Sequence, residues 1–126
     1  MRKDWQELVE AARAVCGEMR LRRDFTAGEV AAALRTEGGR IHTGVCISLT
    51  CGLGFCAEAS AMAEMLKHRE SRIAAIVAVA GDRILPPCGR CREMMIQVDA
   101  RNAEASVLVA PDRAVPLRDL LPDHWL

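Results

Sequence analysis

Two cysteine-bearing segments constrain the fold of this chain more than any other feature of its sequence. One reads FCAEA and places Cys56 before a stretch rich in helix formers. The other reads PPCGRCRE and places Cys88 and Cys91 at the start of a second such stretch. Cys88 and Cys91 lie one helical turn apart, so both sulfurs can reach one metal ion from one helix end. Backbone N–H groups and the helix dipole favour a thiolate at such an end.

The remaining elements follow from hydrophobic periodicity and turn signals. Residues 4–20 are predicted to form an amphipathic helix, and residues 29–49 a β-hairpin that turns at Glu37-Gly38-Gly39. Strands are predicted over 72–81 and 104–111, and helices from about 56 to 70 and from 91 to 101. Residues 116–126 are predicted to form a short terminal helix or turn. The apolar stripe of the first helix is Trp5, Leu8, Val9, Ala12, Cys16 and Met19.

This order of elements predicts an α/β fold. The elements alternate as α, β, β, α, β, α, β, α, which is typical of a sheet with helices packed on its faces. The strand–helix–strand crossover from residue 72 to residue 110 implies at least one parallel strand pair. We therefore expect a three-layer α/β/α sandwich with a mixed sheet. The length of 126 residues fits a single domain spanning residues 1–126.

The composition excludes several classes of function. Seventeen basic residues balance 17 acidic ones, and the chain has two Phe, two Trp and no Tyr, so we expect no nucleic-acid partner. No apolar run approaches the roughly 20 residues of a membrane span, so we expect no membrane partner. The first residues lack the apolar h-region of a signal peptide. These observations favour a cytoplasmic protein that acts on a small molecule.

Cys56-x-Glu58, followed downstream by Pro87-Cys88-x-x-Cys91, is the residue order of the zinc deaminases in its three-cysteine form. Three thiolates with one open coordination position suit a catalytic Zn²⁺. We therefore expect Cys56, Cys88 and Cys91 to bind zinc and Glu58 to act as general acid and base. Arg90 and Arg92 are candidates to offset the negative charge of the site by hydrogen bonding to a sulfur.

Three other interpretations of these residues stay open. Cys88 and Cys91 also have the Cys-x-x-Cys spacing of a redox dithiol. Cys51 as a fourth ligand would make the zinc structural. Independently of the metal, Glu58 is also explained as an ordinary first-turn acid favoured by the helix dipole. Of the histidines, we expect His42 to be a surface strand residue and His68 to close a helix.

The chain resembles the cytidine deaminase family and, within it, most closely the blasticidin S deaminase branch. The resemblance rests on AAALRTEGGRIHTGV, on CAEASA and PCGRCRE, and on LRDLLPDHW near the end. It implies zinc-dependent hydrolytic deamination of a cytosine-like or related amino-heterocycle. It also implies a homotetramer with active sites near subunit interfaces. The same resemblance implies that the Ala57 N–H and the backbone around Pro87 contact the substrate, and makes Trp125 a candidate cap over the pocket.

The chain departs from the family where the ribose is held. Nucleoside deaminases usually carry Asn-x-Glu at the end of the second hairpin strand, whereas this chain carries Cys46-Ile47-Ser48. A Phe that often stacks on the base is Gly28 here. Cys46 and Ser48 thus become the candidate substrate contacts, and a thiol is a weak hydrogen-bond partner. The resemblance therefore predicts a deaminase for which cytidine is a poor substrate, with ordinary cytidine or deoxycytidine deamination as the alternative.

Overall fold

The computed structural model describes residues 1–126. It contains four α-helices, one 3₁₀-helix and seven strands, and all seven strands belong to one sheet. In chain order the elements are α1 (Lys3–Val15), β1 (Met19–Arg22), β2 (Phe25–Thr36), β3 (Ile41–Ser48), α2 (Ala57–Lys67), β4 (Ile73–Ala80), β5 (Arg83–Leu85), α3 (Gly89–Val98), the 3₁₀-helix (Ala100–Glu104), β6 (Ser106–Ala110), β7 (Arg113–Pro116) and α4 (Leu117–Leu120).

The sheet is mixed, as the crossover in the sequence predicts. Strand β4 pairs with β6 in parallel, with Ala75 opposite Ser106 and Ile76 opposite Val107, and α3 lies on the connection between the two strands. The other strand pairs are antiparallel. The predicted hairpin is the β2–β3 pair, and its turn lies at residues 37–39. The structure starts the first hairpin strand at Phe25, four residues before the predicted start.

Helices cover both faces of the sheet, which confirms the three-layer α/β/α sandwich. One core places Leu8 and Ala12 of α1 against Ala31 and Val77 of the central strands. The other core lies on the opposite face, where α2, α3 and α4 pack on neighbouring side chains of the same strands. Alternate residues of β2 and β4 point to opposite faces, so one short apolar run serves both cores.

The predicted first helix is too long. Helix α1 ends at Val15, and its predicted stripe is confirmed only through Ala12. Cys16 has extended backbone and is half-buried, while Met19 lies in β1 with 58% of its surface exposed. The helix ends here because Gly17, with a φ of 156°, donates its N–H across to the carbonyl of Gly28 at 2.8 Å. That contact starts strand β1, which pairs with the first part of β2.

Two glycines set close backbone approaches that position the site. Gly28 has a φ of 86°, and a Cβ there would collide with the carbonyl oxygen of Gly17. A Cβ on Gly44 in β3 would collide with α2, at the backbone nitrogen of Ala61 and the side chain of Ser60. Gly44 therefore lets α2 lie directly on β3, which fixes the height of the helix above the sheet.

Strands β5 and β7 and the 3₁₀-helix have no counterpart in the sequence prediction. Both strands are short: β5 has three residues beside β4, and β7 has four beside β6. The predicted terminal helix is a single turn of four residues. The chain contains no helix with the length and apolar character that crossing a membrane requires.

Candidate active site

The structure brings the three predicted metal-binding thiols together. Cys56 is the N-cap of α2, Cys88 is the N-cap of α3, and Cys91 lies in the first turn of α3. Their sulfur atoms all lie within 4.8 Å of one another, and the Cys56 and Cys88 Sγ atoms are 3.5 Å apart. Two helix N-termini therefore meet at one cluster of thiols, which we call the thiol cluster.

Local sequence explains why the two helices begin at these cysteines. Cys56 and Cys88 both have extended backbone, with ψ angles of 157° and 168°. Pro87 disfavours helical backbone at Pro86, so α3 cannot extend back beyond Pro87, and it begins directly after Cys88. The first N–H groups of each helix have no partner within the helix, and they give this end a partial positive charge that favours thiolates.

The protonation of the thiols fits a cation-binding set. Burial raises the pKa of Cys56, and contact with Cys88 adds to the rise. Burial raises the pKa of Cys91 well above its usual range, and the charges of Glu58 and the other two thiols act in the same direction. Burial also acts upward on Cys88, but hydrogen bonds from the Cys91 backbone and from Cys56 outweigh it and lower the pKa. A divalent cation among the sulfurs would overcome these unfavourable effects of burial and charge on deprotonation, since a coordinating thiol is deprotonated.

The geometry leaves room for one further ligand and supplies no fourth thiol. Cys91 is buried, Cys56 is half-buried and Cys88 is exposed, so the cluster opens to one side. Cys51 lies in a turn with a φ of 58°, is exposed, and does not belong to the cluster. Three sulfurs with one open side fit the ligand set of a catalytic zinc better than that of a structural one.

Glu58 lies beside the cluster rather than in solvent. It is the second residue of α2, yet only 5% of its surface is exposed. Burial raises the pKa of its carboxyl, although bonds from its own backbone N–H and from the Cys91 side chain partly oppose the rise. An ordinary first-turn acid is solvated, whereas this carboxyl is held in a place where it can take up and release a proton.

The open side of the thiol cluster faces a cavity of about 570 Å³. This volume is typical of a small-molecule site. The walls combine apolar side chains with a few polar ones, as such sites usually do. The predicted site residues on its wall are Cys46, Ser48, Cys56, Ala57, Glu58, Cys88 and Arg90.

Cys91 is buried within the thiol cluster and does not line the cavity, and three further predicted site residues lie elsewhere. Pro86, not Pro87, lines the cavity, and the carbonyl of Pro87 accepts a 2.7 Å hydrogen bond from Arg92 Nε. Arg92 also donates to the carbonyl of Leu120 at 3.0 Å. Both side-chain hydrogen bonds of Arg92 therefore go to backbone oxygens rather than to a sulfur. Arg92 thus ties the segment before Cys88 to the end of α4. Trp125 is 82% exposed and lies outside the cavity.

Among the charged residues of the cavity wall, only Glu29 is absent from the sequence prediction. The register of β2 against β3 shifts between Ala27 and Ala31, where residues 28–30 face Cys46 alone. This bulge turns Glu29 into the cavity, where its Oε2 accepts a 2.9 Å hydrogen bond from Ser48 Oγ. Its Oε1 is buried and has no partner. Burial alone would raise the pKa of Glu29, but hydrogen bonding, chiefly from Ser48, lowers it below its usual value, so the carboxyl is ionised at neutral pH.

The same bulge gives Cys46 a structural role. The backbone N–H of Val30 donates to Cys46 Sγ at 3.4 Å, which satisfies a donor that the bulge removes from the strand ladder. The signal that could have revealed Glu29 is Gly28 beside it, because a glycine inside a strand often marks a bulge.

Comparisons with known proteins agree on one family. A family model described as the cytidine and deoxycytidylate deaminase zinc-binding region matches residues 3–106. The cytidine deaminase of Mycobacterium tuberculosis (strain CDC 1551 / Oshkosh) is 32% identical over 98 residues, which cover 76% of this chain and 71% of that protein.

Solved structures give the same result. A crystal structure of cytidine deaminase from Mycobacterium tuberculosis superposes with a TM-score of 0.82 at 30% identity and covers 99% of both chains. The cytidine deaminase structure from Mycobacterium leprae gives a TM-score of 0.80 at 28% identity and covers 97% of this chain and 100% of that one.

Proposed function

The chain belongs to the cytidine and deoxycytidylate deaminase zinc-binding family, and on that premise we propose that it hydrolytically deaminates an aminopyrimidine nucleoside or a closely related amino-heterocycle. One observation carries the proposal. The thiol cluster and the buried carboxyl of Glu58 line the same cavity, so a metal-binding set and a proton carrier face one substrate-sized space.

The thiol cluster is the proposed zinc site. Cys56, Cys88 and Cys91 would hold the ion, and the open side toward the cavity would admit water and substrate. When bound, zinc acidifies a water molecule and makes it nucleophilic at neutral pH. The N-termini of α2 and α3 add positive potential that stabilises the three thiolates.

Glu58 is the proposed proton carrier. Its carboxylate takes a proton from the attacking water and delivers it to the ring nitrogen next to the carbon under attack. The water oxygen thereby bonds to the carbon that carries the exocyclic amine. Glu58 then transfers the second water proton to the amine, the carbon–nitrogen bond breaks, and ammonia leaves as the ring carbonyl forms. Burial suits Glu58 to both roles, because it raises the pKa of the carboxyl toward the range in which a group both takes and gives protons.

Backbone groups are proposed to orient the ring. Ala57 is the first residue of α2 and lines the cavity, and its N–H belongs to the helix end that has no internal partner. It is therefore placed to donate to a ring carbonyl. On the opposite segment, the carbonyl of Pro87 already accepts from Arg92. We therefore assign the contact with the substrate amine to the neighbouring Pro86, which lines the cavity.

Glu29 supports a substrate that carries hydrogen-bond donors. Its ionised carboxylate presents a buried oxygen without a partner in the cavity wall, and sugar hydroxyls are suitable donors to it. The sequence alone places no carboxylate here, because position 48 is Ser. Glu29 supplies one from the adjacent strand. We therefore propose cytidine-type nucleosides as the first substrates to test. Cys46 and Ser48 alone led to the opposite expectation, that cytidine is a poor substrate.

We further propose a homotetramer in the cytoplasm. Leu53, Trp125 and Leu126 are 70%, 82% and 67% exposed, which are large apolar surfaces for a protein to leave in water. We propose that a subunit contact covers them and that Trp125 then reaches the cavity of a neighbouring subunit. A reducing compartment keeps the thiol cluster free of disulfides. Sedimentation of the purified protein tests the assembly.

The direct test of function is ammonia release by the zinc-loaded protein. The substrate panel contains cytidine, deoxycytidine, deoxycytidylate, cytosine, aminopurine nucleosides, aminopterins and nucleoside antibiotics. We expect cytidine-type nucleosides to reach kcat/KM values in the ordinary enzyme range, about 10⁴–10⁸ M⁻¹s⁻¹. A fully zinc-loaded protein that releases ammonia from none of these compounds contradicts the proposal and favours a structural zinc or a thiol redox role.

A further inference from the structure

A second cluster of metal-binding side chains lies at the other end of α2. His42 projects from β3 toward the last turns of the helix, where Glu64 and His68 lie four residues apart on one face. One ligand atom from each of the three side chains lies within 4.8 Å of the others. Helix α2 separates this group from the thiol cluster, because Cys56 caps its N-terminus and His68 caps its C-terminus.

His42 contradicts the expectation of a surface strand residue. Only 6% of its surface is exposed, because His42, Gly44 and Cys46 share the face of β3 that α2 covers. Its Nε2 atom is buried and has no hydrogen-bond partner. A buried imidazole nitrogen without a partner has lost its contact with water and gained nothing in return. A ligand at this position would restore the missing interaction.

A hydrogen bond fixes the ring of His68 at the end of α2. Its Nδ1 lies 3.0 Å from the backbone carbonyl of Glu64. Since a carbonyl oxygen only accepts, Nδ1 carries the proton and Nε2 keeps its lone pair. Metal-binding histidines typically donate their second ring N–H to such a carbonyl, which fixes the ring. The rings of His42 and His68 are 5.0 Å apart between centroids.

We propose that His42, Glu64 and His68 bind a divalent transition metal, separate from the metal of the thiol cluster. Two imidazoles and one carboxylate form a nitrogen–oxygen set that suits Zn²⁺, Co²⁺ or Ni²⁺. Glu64 and His68 are 40% and 41% exposed at their side chains, so a metal ion can enter from solvent and keep water in its remaining positions.

The charges around the cluster set its affinity. Lys67 Nζ lies 3.0 Å from Glu64 Oε2 and competes for the carboxylate. Arg40 and Glu70 are the other charged groups near His42, and they pair with each other at 3.7 Å. Lys67 is thus the cation that a metal ion has to displace, and removing it is expected to tighten binding.

The test uses zinc-loaded protein and Co²⁺ as the probe, measured by calorimetric titration and by absorption. We expect one Co²⁺ per chain to bind beyond the zinc already present, with weak visible bands. The strong sulfur-to-metal charge-transfer band of a thiolate site should be missing. His68→Ala, at an exposed position, should weaken Co²⁺ binding at least about tenfold. Glu64→Gln and His42→Ala should act in the same direction.

Matched controls separate this site from general histidine binding. His124 is the third histidine of the chain and lies outside the cluster, so His124→Ala should bind Co²⁺ like the unchanged protein. Lys67→Met should bind it at least as tightly. The proposal is overturned if zinc-loaded protein takes up no further Co²⁺, or if His68→Ala binds it as well as His124→Ala does. Neither result bears on deamination, which depends on the thiol cluster.

Discussion

Ser48 Oγ donates a 2.9 Å hydrogen bond to Glu29 Oε2, so β2 and β3 share one polar group in the wall of the candidate active site. The two residues reach each other because residues 28–30 bulge out of the β2 ladder opposite Cys46. We propose that this pair, on two different strands, holds the substrate sugar in place of the Asn-x-Glu that other family members carry on one strand.

Removing the Glu29 carboxylate should weaken recognition of the non-reacting part of the substrate. A hydrogen bond to a charged group contributes about 1.5–3 kcal/mol, or roughly 10- to 100-fold at 1.4 kcal/mol per decade. Glu29→Gln should therefore raise KM for cytidine by about that factor and change kcat less. Ser48→Ala should have a smaller effect, and a double-mutant cycle should show that the two changes are coupled. Free cytosine, which has no sugar, is the control substrate. Neither change should alter its KM by much.

Glu58→Gln should abolish turnover while the fold and the metal remain. The amide has nearly the size of the carboxyl but cannot carry the proton, and general acid–base catalysis contributes about 10²–10⁴-fold. We expect kcat to fall by at least that factor with unchanged zinc content. Glu10→Gln on the exposed surface of α1 is the matched control and should keep full activity. Undiminished turnover by a zinc-loaded Glu58→Gln protein would rule out the proposed mechanism.

The thiol cluster predicts which cysteines hold zinc. Cys56→Ser, Cys88→Ser and Cys91→Ser should each lose the metal, measured as zinc per chain after dialysis. Cys51→Ser should keep it, because Cys51 is exposed and outside the cluster. If Cys51→Ser loses zinc as completely as Cys88→Ser does, the site has four thiol ligands and the structural-zinc interpretation is right.

Asn102 is predicted to be a stability determinant of the fold. It is fully buried, and its Oδ1 accepts from the Ile73 N–H at 2.7 Å. Its Nδ2 donates to the carbonyls of Ser71 and Met95, both at 3.0 Å. These bonds tie the start of β4 to the last turns of α3. Asn102→Ala leaves the buried Ile73 N–H without its partner and removes one hydrogen bond each from the carbonyls of Ser71 and Met95, at about 1–3 kcal/mol for a lost partner in the interior.

We expect urea denaturation of Asn102→Ala to show a loss of about 2–4 kcal/mol in the free energy of unfolding. Gln97→Ala, at an exposed position of α3, is the control and should stay within about 0.5 kcal/mol of the unchanged protein. An Asn102→Ala protein as stable as Gln97→Ala would show that these three hydrogen bonds contribute little.

Local sequence was sufficient to predict the helices that begin at the cysteines and the layers of the sandwich. Their signals are short-range: proline before Cys88, helix formers after Cys56, and apolar runs of strand length. The end of α1 was predicted too late because Cys16 and Met19 continue the helical period, while Gly17 breaks the helix by bonding to Gly28. That partner lies in another element, so periodicity within the first segment cannot reveal it.

Glu29 was missed for a related reason. Alternation along a regular strand assigns each residue to a face, but the bulge at residues 28–30 changes that assignment for the residues it contains. The polarity of His42 misled in a similar way: a polar residue on a strand suggests solvent, yet α2 approaches β3 closely at Gly44 and covers His42. Both errors arise from tertiary contacts between elements.

The placement of the thiols on two separate helices has a consequence for how the protein folds. Cys88 and Cys91 are neighbours in any conformation that forms the first turn of α3, so they can capture a metal ion in a largely unfolded chain. Cys56 reaches the same ion only after α2 and α3 have docked on the sheet, because β4 lies between them in the chain. With zinc held as we propose, the third bond forms only in the native state, and its free energy adds directly to the cooperativity of that final docking step.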